Sequence, residues 1–276
     1  MLRVRVVSAL VLIPLLVSAI LFLSVENLAI LLALIVLLAA WEWSGLAGFT
    51  SLVSRIAYVL LSAFLMYKFY SWFKSGAGLH YLLNAVFVWW LFVLLWISIS
   101  ALEKMLASAL NVYLRGFIGL ILLLPAWVSL LLVHNSGPQG PFLLLGLFVL
   151  IWVADSGAYF TGRIFGRNKL APAISPGKTI EGVYGALFAS LLTALIISLV
   201  AGFDMSMSIA YMSIALFCVI FSIVGDLFES VAKRVAGVKD SGSLIPGHGG
   251  VMDRIDSLTA AGPLYLLGLS WFPEFL

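Results

Sequence analysis

The sequence predicts an all-α polytopic membrane protein of about nine transmembrane helices, with the N-terminus cytoplasmic and the C-terminus outside. Three observations predict it. Of 276 residues, 63% are hydrophobic and only 10% charged, with a mean hydropathy of +1.18, whereas soluble domains carry about 25% charged residues. A chain this apolar cannot cover a water-facing surface, so a soluble globular protein is excluded and most helices have lipid as their solvent. Continuous apolar runs long enough to cross about 30 Å of hydrocarbon recur along the chain, where barrel strands would alternate over about ten residues. Lysine and arginine, finally, gather in alternate loops.

The runs follow in order. The first, 6–25, comes after Arg3 and Arg5; this opening resembles a signal sequence, but the run is long and lacks a clear small-residue cleavage site, so it is read as retained. Beyond Glu26 the second run, 28–46, carries Trp41-Glu42-Trp43 near its cytoplasmic end. Glu42 is read as a carboxylate snorkelling in an aromatic interfacial belt, with a place on a polar cavity as the alternative. Runs three and four are 56–72 and 81–100, and run five is 117–133. The sixth, 142–160, follows a loop at 134–141 without Lys or Arg; the seventh is 183–201. Another loop without basic residues, 203–205, precedes the eighth run, 209–224, and the ninth is 258–271. With the N-terminus inside, Arg3, Arg5, Arg55, Lys104, Arg115, Arg163, Arg167, Lys169, Lys178, Lys233, Arg234, Lys239 and Arg254 face the cytoplasm, leaving only Lys68 and Lys74 outside. The net charge of +3 reports this bias, and no nucleic-acid partner is indicated. Cys218, alone in an apolar run, reads as a small core residue.

The chain has two characters. Residues 1–150 are transmembrane helices joined by plain loops. Residues 151–276 add two stretches dense in charge, glycine and proline, each opening on a carboxylate at the inner end of an apolar helix. The first runs from Asp155-Ser156-Gly157-Ala158-Tyr159 to Ser175-Pro176-Gly177-Lys178-Thr179. Its Gly-Lys-Thr is not a Walker A loop, because Pro172 stands where the first glycine belongs and no strand is expected before it. Proline and glycine do expose a turn, and Ser175, Lys178 and Thr179 at a probable helix start suit phosphate. In the second stretch Asp226, Glu229 and Lys233 form one polar stripe on a continuing helix, with Leu227 and Val231 facing elsewhere. The glycines of Ile245-Pro246-Gly247-His248-Gly249-Gly250 allow backbone to approach a ligand closely. Asp253, Arg254 and Asp256 then open the last helix. Carboxylates this dense repel one another unless cations intervene; oxygen-only ligands point to a hard cation such as magnesium, and no Cys/His set for zinc exists. Basic groups around them suit phosphoryl-type chemistry. His248 is read as a loop residue or substrate contact.

Ser230-x-x-Lys233-Arg234, four residues, Lys239-Asp240, then Ile245-Pro246-Gly247-His248-Gly249-Gly250-x-x-Asp253-Arg254-x-Asp256 resembles the signature of the phosphatidate cytidylyltransferase (CDP-diacylglycerol synthase) family, and the upstream run is similar to its bacterial members. The motif covers only the C-terminal half; the first half is similar in its apolar character alone. The resemblance implies a magnesium-dependent reaction of CTP with phosphatidic acid, giving CDP-diacylglycerol and pyrophosphate at the cytoplasmic face of the bacterial inner membrane. On that reading Asp226, Lys233, Asp253 and Asp256 are catalytic. Asp226 and Asp253 hold the metal, with Asp256 and Asp155 completing or supporting its shell. Ser175, Lys178, Thr179, Arg234, Lys239, His248 and Arg254 contact substrate, the acyl chains stay in membrane lipid or a groove between spans, and a homodimer is compatible. Two rival readings share these features: a CTP-dependent polyprenol or lipid kinase, and an ion-coupled transporter, the latter disfavoured because the ionisable residues sit at the cytoplasmic face and no inverted repeat is visible.

Overall fold

The structure is a computed structural model describing residues 2–74, 78–97, 111–245, 247 and 249–275. The expected span end at 98–100, the loop residue Lys104, Pro246 and His248 lie outside the described residues. Its helices are α1 (Leu2–Phe22), α2 (Val25–Ala47), α3 (Leu52–Lys74), α4 (Leu79–Ile97), α5 (Val112–His134), α6 (Gly140–Phe165), α7 (Ile180–Ala201), α8 (Met205–Val235) and α9 (Met252–Ser270). Seven of them, α2 to α8, are long and apolar enough to cross a membrane, and α1 adds a shorter apolar stretch, Leu10–Phe22. The chain is thus an all-helical bundle of the polytopic membrane class.

Helix α9 is less apolar than the others, and its packing shows why. Every residue from Ser257 to Leu269 is buried, against α2, α4, α5 and α8. A helix wrapped by other helices has no lipid to satisfy, so it tolerates Ser257, Thr259 and two glycines at close contacts. One apolar core runs through the molecule from Ala19 to Phe275 and takes in Cys218. In that core the Tyr265 hydroxyl lies 3.2 Å from both the Leu143 carbonyl and the Tyr211 hydroxyl, which joins α9 to α6 and α8.

Two helices run past their expected ends, α6 to Phe165 and α8 to Val235. With 31 residues α8 is about 46 Å long, against about 30 Å of hydrocarbon, so its last turns reach into the interface. Those turns carry Asp226, Glu229, Lys233 and Arg234.

One departure from the all-α expectation separates α6 from α7. Strands β1 (Lys169–Ala171) and β2 (Ser175–Thr179) pair antiparallel, Lys169 with Thr179 and Ala171 with Ser175. Strands of three and five residues around proline and glycine read as a bare turn, because no alternation can develop in so short a run. Glu181 on α7 ties the loop down, accepting from the Arg167 and Asn168 N–H groups at 3.1 and 3.2 Å and from Asn168 Nδ2 at 2.8 Å.

Small residues bring α6 and α7 together. A Cβ at Gly185 would collide with the Thr161 hydroxyl and lie 2.7 Å from the Gly157 carbonyl; one at Gly157 would meet Ala189 Cβ at 2.8 Å. Gly185→Ala therefore overpacks this seam at a cost of about 1–3 kcal/mol. Thermal unfolding in detergent should show a melting temperature several degrees lower, and an unchanged one would mean that the helices separate freely.

Candidate active site

Four elements converge where α6 and α8 end and α7 and α9 begin. Between them lies a cavity of about 490 Å³, whose lining includes Asp155, Tyr159, Ser175, Lys178, Asp226 and Ser257, within the size range of small-molecule sites. The hairpin carries Lys178 to its wall. Lys178 Nζ stands 2.6 Å from Asp226 Oδ2, both side chains about a quarter to a third exposed. The Ser230 hydroxyl lies one helical turn on, 3.4 Å from Asp226 Oδ1. Asp155 is within electrostatic reach of Asp226, Lys178 and Arg254, and Asp256 of Asp226, Glu229 and Lys178. Gly225 makes that last approach possible: a Cβ there would sit 2.8 Å from the Asp256 carbonyl and 3.2 Å from Ala260 Cβ.

Beside the cavity runs a buried polar chain. Lys233 bridges two carboxylates, Glu229 one turn back on α8 and Asp253 on α9, the latter at 2.6 Å. Asp253 Oδ2 accepts from Gly250 N at 2.8 Å and from the backbone N and hydroxyl of Ser241, both at 3.0 Å. Asp253 stands ahead of the apolar stretch that begins at Leu258. Burial pushes its carboxyl up, but the Lys233 ammonium and the Gly250 and Ser241 N–H donors outweigh it and hold it below the usual carboxylate range. The Ser241 hydroxyl also lies 3.0 Å from Glu42 Oε2, and Glu42 accepts from Val251 N at 3.0 Å and Met252 N at 2.8 Å.

The structure gathers the expected residues into two groups. Asp155, Ser175, Lys178 and Asp226 line the cavity, with Asp256 behind Asp226. Lys233 and Asp253, expected to hold phosphate and metal, are engaged by partners within the chain. Thr179 is buried as the N-cap of α7, its hydroxyl accepting from Gly182 N at 3.1 Å. Arg234 Nε donates to the Ile174 carbonyl at 3.1 Å and pins the hairpin turn to α8. Lys239 and Arg254 are exposed.

Glu42 is a correction. It is only 3% exposed, so it is no snorkelling interfacial acid but a partner of the 241–252 loop. Glu229, 1% exposed, belongs to the same chain of charges. Gly250, one of the glycines thought to approach a ligand, approaches this carboxylate instead, and so does Gly242: a Cβ at either would lie 2.7 Å from Glu42 Cδ. A lone acid inside an apolar run was the only signal for it.

Asp155, Asp226, Glu229, Asp253 and Asp256 outnumber Lys178, Lys233 and Arg254 in this neighbourhood. An excess of oxygen donors and negative charge suits a hard cation. Among the described residues no three acidic, histidine or cysteine groups stand close enough to enclose an ion alone.

Comparison with known proteins bears on the whole chain. The model of the cytidylyltransferase family matches residues 3–272. The phosphatidate cytidylyltransferase of Pseudomonas aeruginosa is 42% identical over 265 residues, 96% of each chain. That of Haemophilus influenzae is 39% identical over 283 residues, 96% of this chain and 97% of its own. The Bacillus subtilis phosphatidate cytidylyltransferase is 37% identical over 223 residues, 79% of this chain and 78% of its own. The acid-and-lysine cavity at the ends of apolar helices, and likeness along nearly the full length, lead to one conclusion: this chain belongs to the cytidylyltransferase family.

Proposed function

We propose that the protein transfers the cytidylyl group of CTP to phosphatidic acid, giving CDP-diacylglycerol and pyrophosphate. The observation that carries the reading is the cavity that sets Lys178 against Asp226 and Asp155 at the edge of an apolar bundle, where a nucleotide can enter from water while the lipid headgroup slides in from the membrane. A phosphatidate oxygen attacks the α-phosphorus of CTP; the bond from that phosphorus to the β-bridging oxygen breaks, and pyrophosphate leaves. The nucleophile is already ionised at neutral pH, so the residues have no proton to remove. Their task is to align two anions and offset their charge.

Asp226 and Asp256, with Asp155 alongside, would hold magnesium, which when bound supplies neutralisation of the triphosphate charge. Lys178 has the reach to move from Asp226 to a phosphate oxygen, with Ser175 beside it. Arg254, Lys239 and His248 are assigned to the outer phosphates and headgroup. Lys233 and Asp253 act by tying the start of α9 and the loop before it to α8. With nine spans and the N-terminus inside, a reading that the distribution of basic residues supports, this site would face the cytoplasm at a bacterial inner membrane. Membrane lipid surrounds the bundle, and a second copy of the chain as partner is read from the family resemblance alone.

The test is turnover of purified protein with phosphatidic acid and labelled CTP. Label at the α-phosphate is expected in the lipid product, with activity lost on chelation by EDTA and restored by magnesium. Incorporation of γ-label instead would assign a lipid kinase, and activity indifferent to EDTA would remove the metal.

A further inference from the structure

Helix α9 opens without a capping side chain of its own at Val251, although the first N–H groups of any helix need acceptors. The acceptor comes from α2. Glu42 Oε1 takes Val251 N at 3.0 Å and Oε2 takes Met252 N at 2.8 Å, and a carboxylate at that end also complements the helix dipole. Both partners lie more than 200 residues away in sequence. Oε2 meets the Ser241 hydroxyl at 3.0 Å, and that hydroxyl is 3.0 Å from Asp253 Oδ2. Asp253 in turn holds Lys233, which holds Glu229. One polar chain therefore runs from α2 through the 241–252 loop to α8, one turn from Asp226. Gly242 and Gly250 wrap the Glu42 carboxylate so closely that neither place has room for a side chain.

Packing alone does not require this arrangement. An apolar residue at position 42 would fill the same volume, and the first turn of α9 could be capped locally by serine or aspartate at lower desolvation cost. What the buried acid adds is a fixed register between the first helices and the start of α9, which carries Asp253, Arg254 and Asp256. We propose that Glu42 is a positioning residue for cytidylyl transfer: acting through Ser241 and the first turn of α9, it sets the placement of the α9 acids against Asp226. The inference rests on the reading of the cavity as the reaction site.

Kinetics of full-length Glu42→Gln, Ser241→Ala, their double variant and Asp226→Asn, each in detergent with melting temperature recorded, tests it. In Glu42→Gln one oxygen becomes an NH2 group facing an N–H donor, so the grip is broken at nearly constant volume. The expected result is a kcat at least tenfold lower for Glu42→Gln, with KM for CTP and for phosphatidic acid within about threefold of wild type. Ser241→Ala, a change in a loop, should lower kcat three- to tenfold at unchanged KM and melting temperature. The double variant should be no more than about threefold slower than Glu42→Gln, because both break one chain. Wild-type kcat in Ser241→Ala, multiplicative losses in the double variant, or a loss confined to KM would overturn the proposal. So would an activity loss in Glu42→Gln that merely tracks the loss of folded protein while Ser241→Ala is silent. Asp226→Asn separates the two levels: if it stays active, the reading of the site has failed; if it is inactive while the Glu42 and Ser241 variants turn over at the wild-type rate, only the positioning role has.

Discussion

Asp226→Asn is expected to lower turnover at least about 100-fold, about 2.7 kcal/mol of transition-state stabilisation, and to leave the melting temperature within a few degrees of wild type. The two halves of this expectation have separate causes. Asp226 and Lys178 are 32% and 26% exposed, and an ion pair open to water contributes about 0–1 kcal/mol to stability. Little of the fold therefore hangs on the Asp226 charge. The reaction is expected to depend on it far more, because Asp226 lines the cavity against Lys178, with Asp155 and Asp256 within its field. An amide keeps the shape but removes one negative charge and the ability to bind a hard cation firmly. Steady-state assays with CTP, magnesium and phosphatidic acid check it; more than a tenth of wild-type activity in folded protein would take Asp226 out of the metal site.

Asp226 was legible in the sequence because its neighbours repeat at helical spacing: Asp226, Glu229 and Lys233 lie on one side of a helix that also buries Leu227 and Val231. The apolar runs were legible for the same kind of reason, since lipid demands long uninterrupted stretches. Where those helices end was less so. The apolar runs stop at 160 and 224, yet backbone hydrogen bonding continues to Phe165 and Val235, and of that extension only the polar stripe on α8 reads as helix from the sequence. The hairpin was hidden by its shortness, and Thr179, placed at a helix start, proved to spend its hydroxyl on the cap itself. Glu42 was out of reach altogether: its partners Ser241, Val251 and Met252 are 199 to 210 positions away, and neither period nor spacing can join residues so distant. Gly250 gave half of that answer, signalling a close approach without saying to what.

Asp253→Asn should fail in a different way from Asp226→Asn, losing stability as well as turnover. The Asp253 side chain is 6% exposed and its Lys233 partner 13%, so solvent does little to screen the pair. Its two oxygens serve Lys233, Gly250 N, and the N–H and hydroxyl of Ser241. An asparagine can present only one carbonyl to these donors, and its NH2 group must then face either an ammonium or an N–H. Breaking a buried pair typically costs about 3–5 kcal/mol; here the loss should be about 3, because Glu229 remains on Lys233. Turnover should fall at least about 100-fold as well, since the 241–252 loop loses the anchor that holds Arg254 and Asp256 to α8. The measurement is a paired one, thermal unfolding and kcat on the same preparation. Asp253→Asn with a wild-type melting temperature but no activity would make Asp253 a direct ligand of the reacting groups, moving it from the loop's anchor into the reaction site beside Asp226.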